Sequence, residues 1–245
     1  MTPDLVIRDR RVVTPDAIGP AAVHIRNGVI AAVSGYDDVP AGAQLHDAAD
    51  HVVMPGLVDT HVHINEPGRT HWEGFETATR AAAAGGVTTL IEMPLNSIPT
   101  TTPVAAYQEK LAAAEGKLWV DVGFWGGVVP GNASEIRALA DAGVFGFKCF
   151  LVPSGVDEFS YVKEADLRES LPVLAELGMI LLVHSELPGP IERAIAAVSA
   201  EAAPSRYSTW LASRPRQAEN EAIALLVRLA REFKARIHVV HLSSS

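Results

Sequence analysis

A Pro-Gly turn, an apolar run and a His-x-His ending (Pro55-Gly56-Leu57-Val58-Asp59-Thr60-His61-Val62-His63) constrain this chain more than any other stretch. The run is bounded again by Pro67-Gly68, so it reads as a short buried strand with two imidazoles at its C-terminal end. Residues i and i+2 of a strand share a face, so His61 and His63 project together. Two neutral imidazoles aimed at one point suit a transition metal, zinc above all. Taken alone, the pair is equally compatible with a structural role, and the rest of the chain has to decide.

From Pro55 onward the chain repeats strand, then helix. Strands are predicted at Val87–Glu92, Leu118–Trp125, Val144–Phe150, Met179–His184 and Arg236–His241. Helices are predicted over an Ala-rich stretch around residues 81–84, Pro103–Ala114, Ala133–Ala142, Lys163–Leu177 and Gln217–Lys234. Such alternation implies a parallel sheet with right-handed crossovers. With no GxGxxG after the first strand, a (β/α)8 TIM-type barrel is favoured over a dinucleotide-binding sheet. A full barrel needs eight strands and roughly 250 residues. Only about six strands are read here, so residues 55–245 are expected to form a barrel incomplete at its C-terminus.

Residues 1–54 read differently, as short β-rich runs separated by turns: Leu5–Ile7, Arg11–Val13, Ala22–Ile25, Val29–Val33 and His51–Val53. Asn27-Gly28 is a two-residue hairpin signal. This segment is expected to be a small antiparallel unit, the N-terminal part of a small β-sandwich. His24, His46 and His51 are read there as packing or surface residues.

The formal net charge of -9 argues against nucleic acid or an anionic membrane as partner. No run approaches transmembrane length, and the start of the chain lacks the pattern of a signal peptide. A single cysteine, Cys149, excludes an internal disulfide and makes the cytoplasm the expected compartment.

Active sites of barrels lie at the C-terminal ends of the strands. Lys148 interrupts the apolar run Val144–Phe150, where an unpaired ammonium is costly. His184 and His241 end two further strands, whereas His238 faces the other way and is assigned to packing. Each residue has a plainer reading: the lysine can snorkel, and a histidine ending a strand can be a hydrogen-bonded core residue. All five together, each at a strand end, are hard to produce by chance.

His-x-His after the first strand, Lys after the fourth, and His after the fifth and sixth resemble the binuclear cyclic-amidohydrolase family of dihydroorotases, hydantoinases and allantoinases. The likeness covers nearly the whole chain, including Val53-Met54-Pro55-Gly56. It implies two divalent metal ions, Zn2+ by default, with iron, cobalt or manganese also suited to the ligands. It also implies that His61 and His63 bind the more buried ion and His184 and His241 the second. Lys148, carboxylated by carbon dioxide to a carbamate, bridges both.

Glu66–Gly74, Ile91–Asn96, Gly146–Phe150, Tyr207–Pro215 and His238–Ser244 most resemble the allantoinase branch. Asn65 stands where dihydroorotases typically carry an arginine for the substrate carboxylate, and allantoin has none. The likeness implies hydrolysis of the cyclic amide of allantoin to allantoate by a hydroxide held between the metals. Hydantoinase or dihydropyrimidinase, dihydroorotase, and a non-catalytic scaffold are the rivals. The aspartate that moves the proton in this family is expected beyond Ser245, so no catalytic acid is assigned among Glu66, Glu73, Glu92 and Glu186. This chain alone is expected to be inactive. Arg69 and Asn96 are taken as substrate contacts, and a homo-oligomer, a tetramer by family likeness, is expected of the full-length protein.

Overall fold

The computed structural model describes residues 2–49, 51–199 and 202–244, which form two compact units, Met1–Leu57 and Val58–Ser245. In the first, β1 (Leu5–Val13), β2 (Ile18–Arg26), β3 (Val29–Ser34) and β4 (Gln44–Asp47) make one sheet in the order β3-β2-β1-β4. Asn27 and Gly28 both take positive φ (52° and 75°), as a tight turn between β2 and β3 requires.

Three details depart from the sequence reading. The two expected strands Leu5–Ile7 and Arg11–Val13 are one, because a register shift between Asp9 and Val12 absorbs the polar interruption. Within it, the buried Asp9 accepts the Arg11 N–H at 2.7 Å. The unit is not wholly antiparallel, since β4 pairs parallel to β1. Finally, His51–Val53 contributes only a bridge from Val53 to Val12, because the His51 N–H turns back to the Ala48 carbonyl. His24 packs as expected, its Nε2 lying 2.8 Å from the Asp38 carbonyl.

In the second unit the strands are β5 (Leu57–Val62), β6 (Val87–Glu92), β7 (Asp121–Phe124), β8 (Gly126–Gly127), β9 (Phe147–Phe150), β10 (Ile180–His184) and β11 (Arg236–Val239). Their order is β5-β6-β7 and β8-β9-β10-β11. β7 and β8 are one strand broken at Trp125, whose N–H reaches the Glu92 carbonyl at 2.9 Å. Among the described residues six strands therefore stand side by side in chain order, with β6–β7, β8–β9, β9–β10 and β10–β11 paired in parallel. That is the wall of a TIM-type barrel, as the alternation implied.

Helices α1 (Phe75–Ala84), α2 (Val104–Ala114), α3 (Glu135–Ala142), α4 (Glu164–Glu176), α5 (Pro188–Ala197), α6 (Tyr207–Ser213) and α7 (Arg216–Phe233) alternate with these strands. The short α6 and its neighbour α5 precede α7 in a single crossover, which the sequence reading did not resolve.

Period-2 alternation separates the faces of the wall. Phe147 and Cys149 of β9, with Leu181 and Val183 of β10, join the larger core together with helix residues such as Ile136, Leu167, Leu171 and Leu226. Phe150 and Leu182 belong to a second cluster with Met93, Trp125, Phe159 and Val240. A buried leucine or phenylalanine contributes roughly 1.5–3 kcal/mol, so these two layers hold the wall. Lys148 is paired in register with Leu182, and so lies on the face of the second cluster.

Candidate functional site

The four histidines are held at or just past a strand end, whereas Lys148 is the second residue of β9 and not its last. The Asp59 carboxylate accepts the His61 N–H at 3.0 Å, and the Trp125 indole donates to the Thr60 carbonyl at 2.9 Å, fixing the end of β5. His63 follows it, while the Met93 N–H donates to the Val62 carbonyl at 2.8 Å. Lys148 lies within β9 and His184 closes β10. His241 lies two residues past β11 with a φ of 36°, a left-handed conformation unusual for histidine.

These loops bring the imidazoles together. Ring centroids are 5.5 Å apart for His61 and His63, 5.4 Å for His61 and His241, and 4.6 Å for His184 and His241. Phe150 stacks on His184 at 4.7 Å, and the Lys148 ammonium lies 4.9 Å from the Phe150 ring centre. The His184 Nε2 is 2.9 Å from Glu186 Oε2, which leaves Nδ1 for another partner. A carboxylate on the remote nitrogen is the usual way a ligating histidine is oriented.

Burial, and next the charge of Lys148, hold His61 and His63 down to about 4. The same two causes lower His241. The rings are therefore neutral, with lone pairs available, at pH 7. Burial also lowers Lys148, to about 8.

Two buried atoms of the site lack any hydrogen-bond partner, the Lys148 Nζ and the His63 Nδ1. Such orphans are costly and call for a missing partner. Among the described residues, no group of three or more His, Cys, Asp or Glu side chains is arranged to hold a metal ion. The imidazoles instead run as a chain, His63 to His61 to His241 to His184, and a donor set completed by a group on Lys148 fits this arrangement. The Lys148 ammonium as such offers only donors, so it does not serve as a ligand in that form.

Arg69 and Asn96 are brought together, but the arginine is already engaged. Its guanidinium donates to the Asn96 carbonyl at 3.3 Å, pairs with Glu158 and lies 4.9 Å over the Trp72 ring. The bond from Arg69 holds the Glu158 carboxyl below its usual range. Glu66 accepts the Phe75 N–H at 2.9 Å and pairs with Lys117, so it anchors the start of α1. Glu92 is wholly buried against Lys110 at 2.6 Å.

Beside the His184 and His241 rings lies a cavity of about 450 Å³, lined among others by His184, Glu186, Trp210, Arg214, Glu219 and His241. Glu158, Lys110 and Glu219 were not singled out from sequence. A charged residue on a helix or loop ordinarily reads as a solvated face, and no local pattern marks these three.

The model of the Amidohydrolase family matches residues 52–245. The chain belongs to that family. An allantoinase of Streptomyces avermitilis is 55% identical over 243 residues, covering 99% of this chain and 54% of its own length. A mitochondrial allantoinase of Aquarana catesbeiana is 46% identical, with 98% of this chain and 49% of its own length covered. The chain thus spans about half the length of the curated relatives it matches. Among solved structures, an L-hydantoinase (dihydropyrimidinase) from Arthrobacter aurescens superposes with a TM-score of 0.90 at 35% identity, covering 98% of this chain and 53% of its own. A D-hydantoinase (dihydropyrimidinase) from Thermus sp. gives 0.79 at 28%, covering 98% and 52%. Among the described residues, no helix is long and apolar enough to cross a membrane.

Proposed function

We propose that the protein to which this chain belongs is a two-metal cyclic amidohydrolase that opens the hydantoin ring of allantoin to give allantoate. The observation that carries the reading is the buried, unpartnered Lys148 amine among four neighbouring imidazoles. The similarity to allantoinases supports the substrate. His61 with His63, and His184 with His241, would each hold one divalent ion, and Lys148, carboxylated by carbon dioxide, would supply the anionic ligand to both. Zinc is the default ion, and iron, cobalt and manganese suit the same donors. When bound, such ions supply Lewis acidity and lower the pKa of water.

The chain's own residues do the rest. Neutral imidazoles present lone pairs, Glu186 orients His184, and the Phe150 ring packs flat against His184. Asn65 is buried, held by backbone bonds to the Glu73 carbonyl and from the Arg69 N–H, and its neutral amide side chain brings no cation to the site. That favours an uncharged ring over a carboxylate-bearing one. Glu66 and Glu92 are committed to other partners, and none of the chain's carboxylates is given the proton transfer. Hydantoinase or dihydropyrimidinase activity is the second reading, favoured by the superposition on the Arthrobacter enzyme. A homotetramer in the cytoplasm is the proposed working form, on the likeness to the cyclic amidohydrolases and the single, unbridged Cys149.

The test is to measure metal content of the complete gene product and its turnover of allantoin, hydantoin, dihydrouracil and carbamoyl aspartate. Two ions per chain with turnover of allantoin are expected, and Lys148→Ala should lose more than about 100-fold in activity together with its metal. Turnover of hydantoin or dihydrouracil in place of allantoin would overturn the substrate. A complete gene product without metal would overturn the mechanism.

A further inference from the structure

The loop that carries His241 leaves β11 in a strained shape and returns to α7. The Ser243 N–H donates to both carboxylate oxygens of Glu219, at 3.0 and 3.3 Å, and the Ser244 N–H donates to one of them. The Ser243 hydroxyl turns back to the His241 carbonyl at 3.1 Å, and the Ser244 hydroxyl reaches Asn220 at 2.9 Å. Glu219 is only 9% exposed, and among the described residues no salt bridge engages it. Its charge is spent on backbone amides of another element, although it sits in the first turn of α7, where the free N–H groups of its own helix favour an acid.

The same turn holds the neighbouring loop. The Ala218 carbonyl accepts the Leu187 N–H at 3.0 Å, three residues after His184. The loops bearing His184 and His241 thus rest on adjacent residues of one helical turn, and the two rings meet at 4.6 Å. A residue held in a sparsely populated conformation persists only where its surroundings over-determine it. His241, with a φ of 36°, is such a residue, and the amides pinned by Glu219 lie two and three residues after it.

We infer that Glu219 is a positioning residue: its carboxylate clamps the Ser243 and Ser244 amides, holds His241 in its strained conformation, and thereby builds the second of the two metal positions. This rests on the two-metal reading above. Glu219 lines the cavity beside His184 and His241, but both its carboxylate oxygens are taken by the Ser243 and Ser244 amides, so it acts through the backbone. Two amide hydrogens need two acceptor sites, which a carboxylate supplies on its two oxygens and a leucine of similar bulk does not. A glutamine keeps one oxygen and so preserves part of the clamp.

The experiment uses the complete gene product, stripped of metal and titrated with cobalt, with uptake followed by visible absorption and by metal analysis after dialysis. Wild type is expected to take two ions per chain. Glu219→Leu should take one with unchanged affinity and hold the second about 10–100-fold more weakly, as removing outer partners of a ligand commonly does. Glu219→Gln should recover much of that loss. Ser243→Pro removes a clamped donor from the other side, leaves α7 untouched, and should show the same selective loss if Glu219→Leu does not fold. Two ions bound at wild-type affinity in Glu219→Leu or in Ser243→Pro would overturn the inference. Equal weakening at both positions would do so too, since that marks a merely structural role. Wild type that binds no cobalt defeats the two-metal reading itself, a separate result.

Discussion

Lys148 is placed where packing alone would put a methionine: fully buried, against an aromatic ring, with nothing accepting its hydrogens. Replacing it by methionine should raise the stability of the metal-free protein by about 1–3 kcal/mol, the cost of an unsatisfied buried polar group. The same change should abolish metal binding. Urea unfolding and metal analysis measure the two halves separately. The imidazoles give a second expectation. His61 and His63 are held at about 4 when folded, against 6.5 for an ordinary histidine, so between these values the unfolded chain binds more protons. The metal-free protein should therefore lose stability as pH falls from about 6.5 to about 4, and no further below that on their account. Thermal melts across that range read this directly. Methionine at 148 should also raise both histidines, since the lysine's charge is the second cause of their depression, and proton NMR titration would show it. Lys148 was legible because a cation inside the seven-residue run Val144–Phe150, otherwise without charge, breaks a pattern. Glu219 was not, because the carboxylate's partners are backbone amides that no side-chain pattern announces.

Among the elements, α2 and β6 show how a helix can be locked to a strand by charge. Lys110 and Glu92 are both fully buried, and the ammonium also reaches the Met93 carbonyl at 3.3 Å. Burial pushes Glu92 up to about 7 against the pull of Lys110, and its Oε1 has no hydrogen-bond partner. Truncating one member of such a pair strands the other. Lys110→Met should cost about 3–5 kcal/mol by chemical denaturation, and the double change with Glu92→Leu should restore part of that. Nothing in the sequence separates Lys110 from a solvated helix lysine, whereas the strands and helices themselves followed from period and turn signals. The third strand is where the pattern misled. Leu118–Trp125 was expected, but the strand starts at Asp121 and runs on through Gly126-Gly127. A Cβ at Gly126 would come within 2.7 Å of the Phe147 ring, and one at Gly127 within 2.6 Å of the Phe159 ring. Glycine is read as a strand ender, yet here it admits aromatic rings to the wall.

At the scale of the molecule, β5 and β11 are the two ends of the wall, each with a neighbour on one side only. Val58 on β5 is 61% exposed. Unpaired strand edges beside apolar surface template association. The 245-residue chain purified by itself should therefore elute in size-exclusion chromatography as self-associated species rather than as a single 26.0 kDa monomer. The strand-helix alternation made the barrel architecture and strand order legible, because neighbours in the chain are neighbours in the wall. The meeting of His61 with His241 at 5.4 Å was legible only through that architecture, since no local spacing relates them.

That meeting has a kinetic side. His61 lies on β5 and His241 two residues past β11, so they come together once the strands between them have docked. Long-range pairings of this kind form slowly, because the chain must first surrender the freedom of the loop between them. A half-formed wall offers an incoming ion at most one imidazole pair. During refolding, uptake of the second ion should thus mark the docking of β5 through β11, and lag behind the signal of the helices.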